Sequence, residues 1–530
     1  MAAAAPARDF SRNLTGSIGR NTAFGILHTV VQVLTRLITV PTAISHLGLV
    51  GYGIWSIIMT TAMYVRFGGL GLKSAFQTYV AAATGNHDYD TASKLLSTGC
   101  AAAVILSIPA LLPLAISPEA VPRVLGVPAS FVYSSAWAIA ILAVTMVISN
   151  AGAVYEAILL GGHRIDITRT LGTITSVLEA VAIIVLLKLG YKLVAMATVM
   201  AASQIVYFAG CFIASRRVLP QVAVSLRHLS RKVIPELFRF AGSYQLLGIL
   251  LITYNAIAPV IVLRSYGGDK AGIYAIGTRL ISPVSMAQYA FLVPILSGSS
   301  MIHAAGSTER MQRLVAKAFK FMFVTTFTPL ALISLFAADF ILAWTGQAQR
   351  DFSAAVAWQA AAAFLQAVSG LSAVVYRSSG RALMDNIRGG LRIGVLLALL
   401  VFAKSMGFVG VMAGLAFAEL LGMLVMLSAL RRTVAGFSIG SVAADAARVV
   451  AATAGVAVVA SLAVRLPLPW AATAREGAVI RSGLVAFAIA FSAVPAFLFA
   501  RVVSIPELRG MIAAVRGKLA GSPPLRSEVR

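Results

Sequence analysis

The chain has 530 residues, of which 59% are hydrophobic and only 12% are charged. Soluble domains carry about 25% charged residues, so the composition argues against a soluble catalytic domain and indicates lipid as the solvent. The net charge of +25 is divided among short segments between long apolar runs. This distribution is typical of membrane proteins, and no nucleic-acid partner is expected.

Cysteine usage adds little chemistry. Cys100 and Cys211 both lie inside apolar runs, so they support neither a disulfide framework nor a metal site, and no cofactor is expected. The first apolar run begins at Asn21 and lacks the cleavage site of a secretory signal. We expect it to be retained as a membrane helix.

The apolar runs predict an all-α membrane protein. A bilayer core about 30 Å thick needs roughly 20 apolar residues per helix. On that basis about fourteen transmembrane helices are predicted, with most Lys and Arg on one side, so that both termini face the cytoplasm. The predicted helices are 21–45, 51–68, 94–117, 131–160, 169–189, 192–214, 238–264, 271–297, 314–344, 353–376, 385–404, 407–431, 447–465 and 480–500.

The basic segment 215–237 divides these helices into two groups of six. The stretch Val40-Pro41…Leu47-Gly48…Gly53-Ile54-Trp55 resembles Ala258-Pro259…Tyr266-Gly267…Gly272-Ile273-Tyr274, which indicates an internal repeat with a substrate site between its halves. The predicted organisation is a cytoplasmic lead (1–20), a six-helix lobe (21–214), the basic linker (215–237), a second six-helix lobe (238–431), two further helices (447–500) and a basic amphipathic tail (501–530).

The first predicted helix carries a polar stripe at intervals of three or four residues. Its members are Asn21, Gly25, His28, Gln32, Arg36 and Thr39. Such a stripe cannot face lipid without a large desolvation penalty, so it should line the interior or a wet cavity. For Arg36 the alternative is pairing with a neighbouring helix, and for His28 a structural hydrogen bond is favoured over proton transfer.

Two further arginines extend the hypothesis of a cationic site. Arg66 lies near the inner end of the second predicted helix and Arg279 lies within the eighth. Snorkelling to the membrane surface is the alternative explanation for Arg66, and a surface position just inside the outer interface is the alternative for Arg279. Guanidinium groups match phosphate geometry and stay charged, so Arg36, Arg66 and Arg279 together predict an anionic ligand, with Gln32 and Asn255 as further substrate-binding candidates.

Carboxylates are scarce, so those within predicted helices are notable. Glu179 and Glu419 fall at the middle of their helices, where either could bind a coupling proton or sodium ion. A buried partner for an arginine, or a protonated carboxyl group bonded to the backbone, is at least an equally good interpretation. Asp88-Tyr89-Asp90 resembles a metal-binding acidic pair, but it lies in a short loop, where a solvated turn is favoured; no HExxH or GxSxG motif occurs.

Two groups of residues resemble one known superfamily. Leu34-Thr35-Arg36…Pro41…Tyr52-Gly53-Ile54-Trp55, followed by Gly69-Leu70-Gly71, is similar to the opening of polysaccharide transporters of the multidrug/oligosaccharidyl-lipid/polysaccharide (MOP) superfamily. Gly272-Ile273-Tyr274…Arg279-Leu280…Pro283…Pro294-Ile295-Leu296-Ser297 resembles the helix 8 pattern of Wzx-type O-antigen flippases and lipid II flippases.

The resemblance implies two six-helix lobes around a cationic cavity that opens alternately to each side, with the two last helices bordering a lipid-tail groove. Arg36, Arg66 and Arg279 are similar by motif position to cavity arginines of the lipid II branch. The implied function is non-enzymatic flipping of an undecaprenyl-pyrophosphate oligosaccharide across a bacterial inner membrane, for O-antigen, capsule or exopolysaccharide synthesis. The implied partners are membrane lipids and polysaccharide polymerase or assembly proteins. The alternatives are a drug/cation antiporter and a membrane polymerase or glycosyltransferase.

Overall fold

The computed structural model describes residues 7–65, 76, 80, 88–162, 164–378, 383–465, 473–500 and 502. Every regular element within these residues is helical, which confirms the predicted all-α class. Ten of the described helical segments are long and apolar enough to cross a membrane, by length and composition. The predicted total of fourteen and the cytoplasmic placement of both termini stay predictions.

The described chain divides into two compact units, residues 1–256 and 257–530. The helices that begin in the first unit are α1 (Ala7–Ala62), α2 (Tyr89–Ser107), α3 (Leu112–Ile116), α4 (Ala120–Leu125), α5 (Ala129–Gly161), α6 (Ile165–Lys188), α7 (Leu193–Val218) and α8 (Ile234–Ala304), which continues into the second unit. Within the first unit, α5 packs on α7 and α1 packs on α6.

The second unit begins within α8 and ends with a helical hairpin. Its further helices are α9 (Thr308–Met322), α10 (Thr328–Leu335), α11 (Ala337–Thr345), α12 (Asp351–Arg377), α13 (Leu383–Thr433), α14 (Ile439–Val464) and α15 (Ala474–Phe499). α12 packs along α13, while α15 packs on both α14 and α11. Arg481 of α15 donates to Asp339 of α11 at 2.8 Å, which fixes the hairpin to this unit.

Three long helices bend at a single glycine. Gly48 in α1, Gly267 in α8 and Gly407 in α13 have φ of 70°, 82° and 70° with ψ within about 15° of 180°. Only glycine adopts this region of backbone space without strain. Gly48 and Gly267 occupy equivalent places in the repeat found in the sequence, so the repeated motif encodes the same one-residue corner twice.

The two corners of the second unit are fastened to each other. The Tyr266 hydroxyl donates to the Ala403 carbonyl, and the Tyr266 ring meets the Phe408 ring edge-on with centroids 5.9 Å apart. Lys270 lies over the same Phe408 ring at 5.6 Å and forms an ion pair with Asp351. The residues beside Gly267 and Gly407 therefore hold both bends in place.

The predicted helix 314–344 is interrupted in the structure. It begins earlier, at Thr308, widens into a π-helical turn at Phe323–Phe327, and breaks again at Phe336 between α10 and α11. Pro329 explains the wide turn, because it cannot donate a backbone hydrogen bond and its ring displaces the preceding carbonyl. Periodicity alone did not reveal this interruption.

Many large apolar side chains lie on the outside of the helices. Among them Ile116, Val401, Phe491 and Phe499 are more than two-thirds exposed. A water-soluble surface rarely carries so many exposed apolar groups, whereas hydrocarbon solvates them without cost. The exposed positions are thus those expected of helices that face lipid.

Parts of the predicted organisation fall outside the described residues. Arg66 lies outside them, and so does the amphipathic tail predicted over 501–530 apart from residue 502. The predicted lead 1–20 is helical from Ala7 onward. The predicted linker 215–237 is shorter in the structure, because α7 continues to Val218 and α8 begins at Ile234.

Replacing Gly407 with alanine should destabilise the protein through backbone strain alone, because a Cβ at this residue meets no atom within 4 Å. We expect a loss of about 1–3 kcal/mol in the free energy of unfolding, measured by equilibrium unfolding in mixed micelles. Gly455→Ala is the matched control, since its Cβ also enters open space but its backbone is helical. Equal effects of the two substitutions would contradict the strain explanation.

Candidate functional site

A polar cavity of about 520 Å³ lies inside the first unit, among α1, α5, α6 and α7. Helical spacing brings its polar side chains to common faces, at every third or fourth residue. The polar and charged residues that line it are His28, Gln32, Ser149, Asn150, Glu156, Thr168, Arg169, Thr175, Ser176, Glu179, Ser203, Gln204 and Tyr207. The stripe predicted on the first helix therefore faces a cavity through His28 and Gln32; the side chain of Asn21 is outside the described part.

His28 fixes the contact between α1 and α6. Its Nδ1 lies 3.1 Å from the hydroxyl of Thr173, and the ring is buried. Gly172 lets the ring approach, because a Cβ there would lie 2.8 Å from the ring carbon Cε1. The geometry matches the structural role that was favoured for this histidine.

Glu179 is the half-buried carboxylate on the α6 side of the cavity. Its carboxylate accepts a hydrogen bond from the Ser203 hydroxyl of α7, and the positive charge of Arg36 acts on it. Arg36 follows Gln32 by four residues and His28 by eight, so all three lie on one face of α1. In the first unit, Arg36 is thus electrostatically linked to Glu179.

A second carboxylate, Glu156 of α5, lines the same cavity. It is hydrogen-bonded with the Tyr207 hydroxyl of α7. Asn150, six residues earlier on α5, donates to the Val65 carbonyl at 3.1 Å and to the Ser107 hydroxyl at 2.8 Å. Helix α5 thereby contributes a titratable side chain, Glu156, and a side chain that hydrogen-bonds to neighbouring segments, Asn150, to this cavity.

Arg279 lies on α8 in the second unit and is partly exposed. The face of α8 that packs on α12 is marked by Gly277, whose Cβ would overlap Gln359, and by the Gln359 amide that donates to the Tyr274 carbonyl at 3.1 Å. Residues two apart are about 200° apart around a helix, so Arg279 is on the side of α8 turned away from α12. Asn255, also on α8, is exposed.

Glu419 has an arginine as its neighbour. The Arg392 guanidinium forms an ion pair with it, and the two side chains are 4% and 2% exposed. This geometry corresponds to the alternative interpretation, a buried partner for an arginine. Ion coupling through Glu419 stays a hypothesis without support from these contacts.

The Arg392–Glu419 pair belongs to a larger buried network that the sequence interpretation missed. Asp385 is fully buried between Arg377 and Arg388, with 2.9 Å to Arg388, and Arg388 also donates to Ser369 at 3.0 Å. The signal was present as an acid at i, a base at i+3 and a second base at i+7 of α13. It was overlooked because these residues lie near the predicted helix end, where charges normally reach water.

A second, apolar cavity of about 300 Å³ lies in the second unit. It is bounded by α9, the π turn, α12, α13 and α14, and its lining is entirely apolar, with five phenylalanines: Phe319, Phe323, Phe327, Phe364 and Phe437. The Thr328 and Thr453 hydroxyls, 2.9 Å apart, join α10 to α14 close to it. The π turn thus places two aromatic rings in a cavity wall.

The acidic pair Asp88 and Asp90 begins α2. Asp88 caps the helix by accepting from the Thr91 amide at 3.1 Å, and hydrogen bonds from Thr91 lower the pKa of its carboxyl below the ordinary value. Asp90 forms an exposed ion pair with Lys94. Within the described residues, no group of three His, Cys, Asp or Glu is placed to hold a metal ion.

The architecture defines a class of membrane transporter fold. The structure resembles an inward-facing multidrug resistance MATE family transporter of the MOP superfamily with a TM-score of 0.63 and 16% identity, covering 79% of this chain and all of that one. It resembles the lipid II flippase MurJ in an inward closed conformation with a TM-score of 0.67 and 12% identity, covering 90% of this chain and 98% of that one. The chain therefore has the all-α fold of MOP superfamily transporters.

Sequence comparison gives one particular relative. The chain is 21% identical over 348 residues to the uncharacterized membrane protein EpsK of Bacillus subtilis (strain 168), a match that spans 64% of this chain and 65% of that protein, less than two-thirds of its length. No protein-family profile matches the chain. The membrane location and the transporter fold agree with the expected class, and the Wzx-type assignment stays a hypothesis.

Breaking the Arg392–Glu419 pair from one side should be costly, and removing both charges should not. We expect Arg392→Met to lose about 3–5 kcal/mol in the free energy of unfolding, with most of it restored in the double variant Arg392→Met/Glu419→Met. Equilibrium unfolding in mixed micelles measures the cycle. Asp445→Asn, which breaks an exposed ion pair with Arg448, should change it by less than about 1 kcal/mol.

Additive losses in the double variant would contradict the idea that the pair acts as one unit. A double variant that is stable but inactive in transport would instead support a role for Glu419 in ion coupling.

Proposed function

We propose that this protein is a flippase that moves a polyprenyl-pyrophosphate oligosaccharide across the bacterial inner membrane by alternating access, for O-antigen, capsule or exopolysaccharide synthesis. The observation that carries the proposal is Arg36, a guanidinium on the polar face of a membrane helix, next to a carboxylate in a polar cavity. Fixed positive charge within a membrane is expensive and marks a path for an anion. The likeness of the fold to MATE and MurJ transporters supports the proposal.

The binding step follows from guanidinium chemistry. Arg36, Arg66 and Arg279 would hold the pyrophosphate, because each guanidinium donates two parallel hydrogen bonds to phosphate oxygens and cannot lose its proton at physiological pH. Gln32 and Asn255 would donate to sugar hydroxyls. Arg279 is suited to this role because it faces away from the α12 contact and is partly exposed.

Glu179 offers a mechanism for coupling the substrate to an ion. An ionised Glu179 attracts Arg36 and holds that guanidinium on the first-unit cavity. Proton or sodium binding at Glu179 neutralises the carboxylate and frees Arg36 for a phosphate. The substrate and the carboxylate thus compete for one cation, and this competition links their movements across the membrane.

The lipid tail needs a separate path, because a polyprenyl chain cannot cross through a polar cavity at low cost. The apolar cavity beside α14 has a lining of the right chemistry. We assign it to part of the tail, which would keep the isoprenoid in apolar surroundings while the head group passes.

Replacing Arg279 with alanine should abolish display of the polysaccharide at the cell surface and leave the abundance of the protein unchanged, because one phosphate ligand is lost from a partly exposed position. Display is measured by surface labelling of the polysaccharide, and abundance by immunoblot of membranes. Arg310→Ala, at an exposed position on α9, is the matched control. Normal display by the Arg279 variant would refute its assigned role.

Replacing Glu179 with glutamine should uncouple transport from the ion gradient. In vesicles loaded with lipid-linked oligosaccharide, we expect the wild type to flip severalfold faster with an imposed proton or sodium gradient, and the variant to flip at one rate with or without it. Glu309→Gln, exposed on α9, is the control. A variant that still responds fully to the gradient would remove Glu179 from the mechanism.

The second candidate function is a drug/cation antiporter. Two carboxylates, Glu156 and Glu179, line the cavity of the first unit, and this favours a cation there. Accumulation of ethidium by the same vesicles separates the functions: ion-driven ethidium transport without flipping of the lipid-linked sugar would select the antiporter.

A further inference from the structure

The segment between the two six-helix groups is fastened to the first unit. This segment, residues 219–233, is called the linker below. Side-chain hydroxyls in the first three turns of α2 bind its backbone: Ser93, Ser97 and Thr98. The Ala223 amide donates to Ser93 at 3.0 Å, the Ser225 amide to Ser97 at 3.1 Å and the Ser230 amide to Thr98 at 3.0 Å. The linker is therefore a docked element of the first unit.

One face of the linker is buried in that unit. Leu219 and Val222 belong to an apolar cluster with Leu96 of α2 and Ile158 of α5. Together with the hydroxyl contacts, this burial determines which linker side chains point outward.

The outward face combines large apolar and basic side chains. Leu226 is 83% exposed and Leu229 is 47% exposed. Arg227, Arg231 and Lys232 between and after them are also exposed. Rigid display of leucines to water is unfavourable, so this face requires a partner that accepts both hydrocarbon and positive charge.

The height of the linker along the helices indicates that partner. Arg216 lies over the exposed ring of Phe212 at 5.6 Å in the last turns of α7, where an arginine reaches from the apolar region to the head groups. The linker starts two residues after Arg217. Ser97 is about 12 Å along α2 from its first residue, at roughly 1.5 Å per residue, so the linker stays beside the membrane ends of α2 and α7.

We propose that the outer face of the linker is a binding site for anionic phospholipids. Arg227, Arg231 and Lys232 bind head-group phosphates, and Leu226 and Leu229 enter the upper part of the acyl region. Interfacial segments that pair basic and apolar residues bind anionic leaflets in this way. The site is independent of the transported substrate, and it anchors the first unit laterally.

Spin labels test the position of the linker. In a Cys100→Ala/Cys211→Ala background, a nitroxide at Leu226→Cys is compared with one at Gln221→Cys, an exposed polar position of the same linker. The protein is reconstituted in vesicles of equal parts phosphatidylcholine and phosphatidylglycerol. We expect the label at residue 226 to prefer collision with oxygen over a water-soluble nickel chelate severalfold more than the label at residue 221. Equal accessibility would overturn the proposal.

Charge dependence tests the anionic lipid. The label at residue 226 should become more accessible to nickel in pure phosphatidylcholine, and also in the variant Arg227→Gln/Arg231→Gln/Lys232→Gln in mixed vesicles. The control Arg310→Gln/Arg313→Gln/Lys317→Gln removes three exposed charges from α9 and should leave the label unchanged. If the nickel accessibility of the label at residue 226 changes neither with the lipid composition nor with the linker charges, the proposal is overturned.

These measurements do not depend on the triple variant folding, because the comparison of the two vesicle compositions uses the native linker charges. A surface meant for a protein partner would give a water-exposed label in these vesicles, since no other protein is present.

Discussion

The structure depends on one constraint: a polar group inside hydrocarbon must find its partner within the protein. Hydroxyls within the helices satisfy it locally, as when Thr39 donates to the Thr35 carbonyl at 2.9 Å and Ser107 to the Ala103 carbonyl at 2.7 Å. Charged groups satisfy it over longer distances. Charged groups that are paired inside the protein serve its structure, and charged groups that line a cavity are available to bind a substrate or an ion.

The two units meet this constraint differently. In the second unit, Arg377, Arg388 and Arg392 are held by Asp385 and Glu419 in a buried network. In the first unit, carboxylates line a cavity of about 520 Å³ that has room for water and ions. The units share the glycine corner of the internal repeat, but among the described residues the charges of this second-unit network pair with one another, while the carboxylates Glu156 and Glu179 of the first unit line a cavity.

Much of the fold could be read from the sequence, because hydrophobic length is a direct consequence of bilayer thickness. The corner at Gly48 and Gly267 was visible as a repeated motif. The π turn before Pro329 was not visible, since it depends on how a helix adjusts around a missing donor. The docking of the linker could not be predicted either. Ser93 and Ser97 accept hydrogen bonds from the linker backbone only because the folded chain brings the linker back to α2.

The candidate site could be predicted only in part. Arg36, Gln32 and Glu179 follow from the rule that polar groups in apolar helices are candidates for function, and the charge of Arg36 acts on Glu179 within the first unit. Glu419 satisfied the same rule but has Arg392 beside it, and only the three-dimensional packing distinguishes the two carboxylates. A sequence indicates that a charge needs a partner, and it does not say which one.

The one-residue corners have a practical consequence for mapping the protein. At Gly48, Gly267 and Gly407 two helical segments join at one residue without a connecting segment. An inserted epitope would have to separate the two helices that meet there. Stretches such as 305–307 and 346–350, which lie outside the helices, offer spare length instead. Reporter fusions intended to establish which side of the membrane each end faces belong in those stretches, and the corners should be left intact.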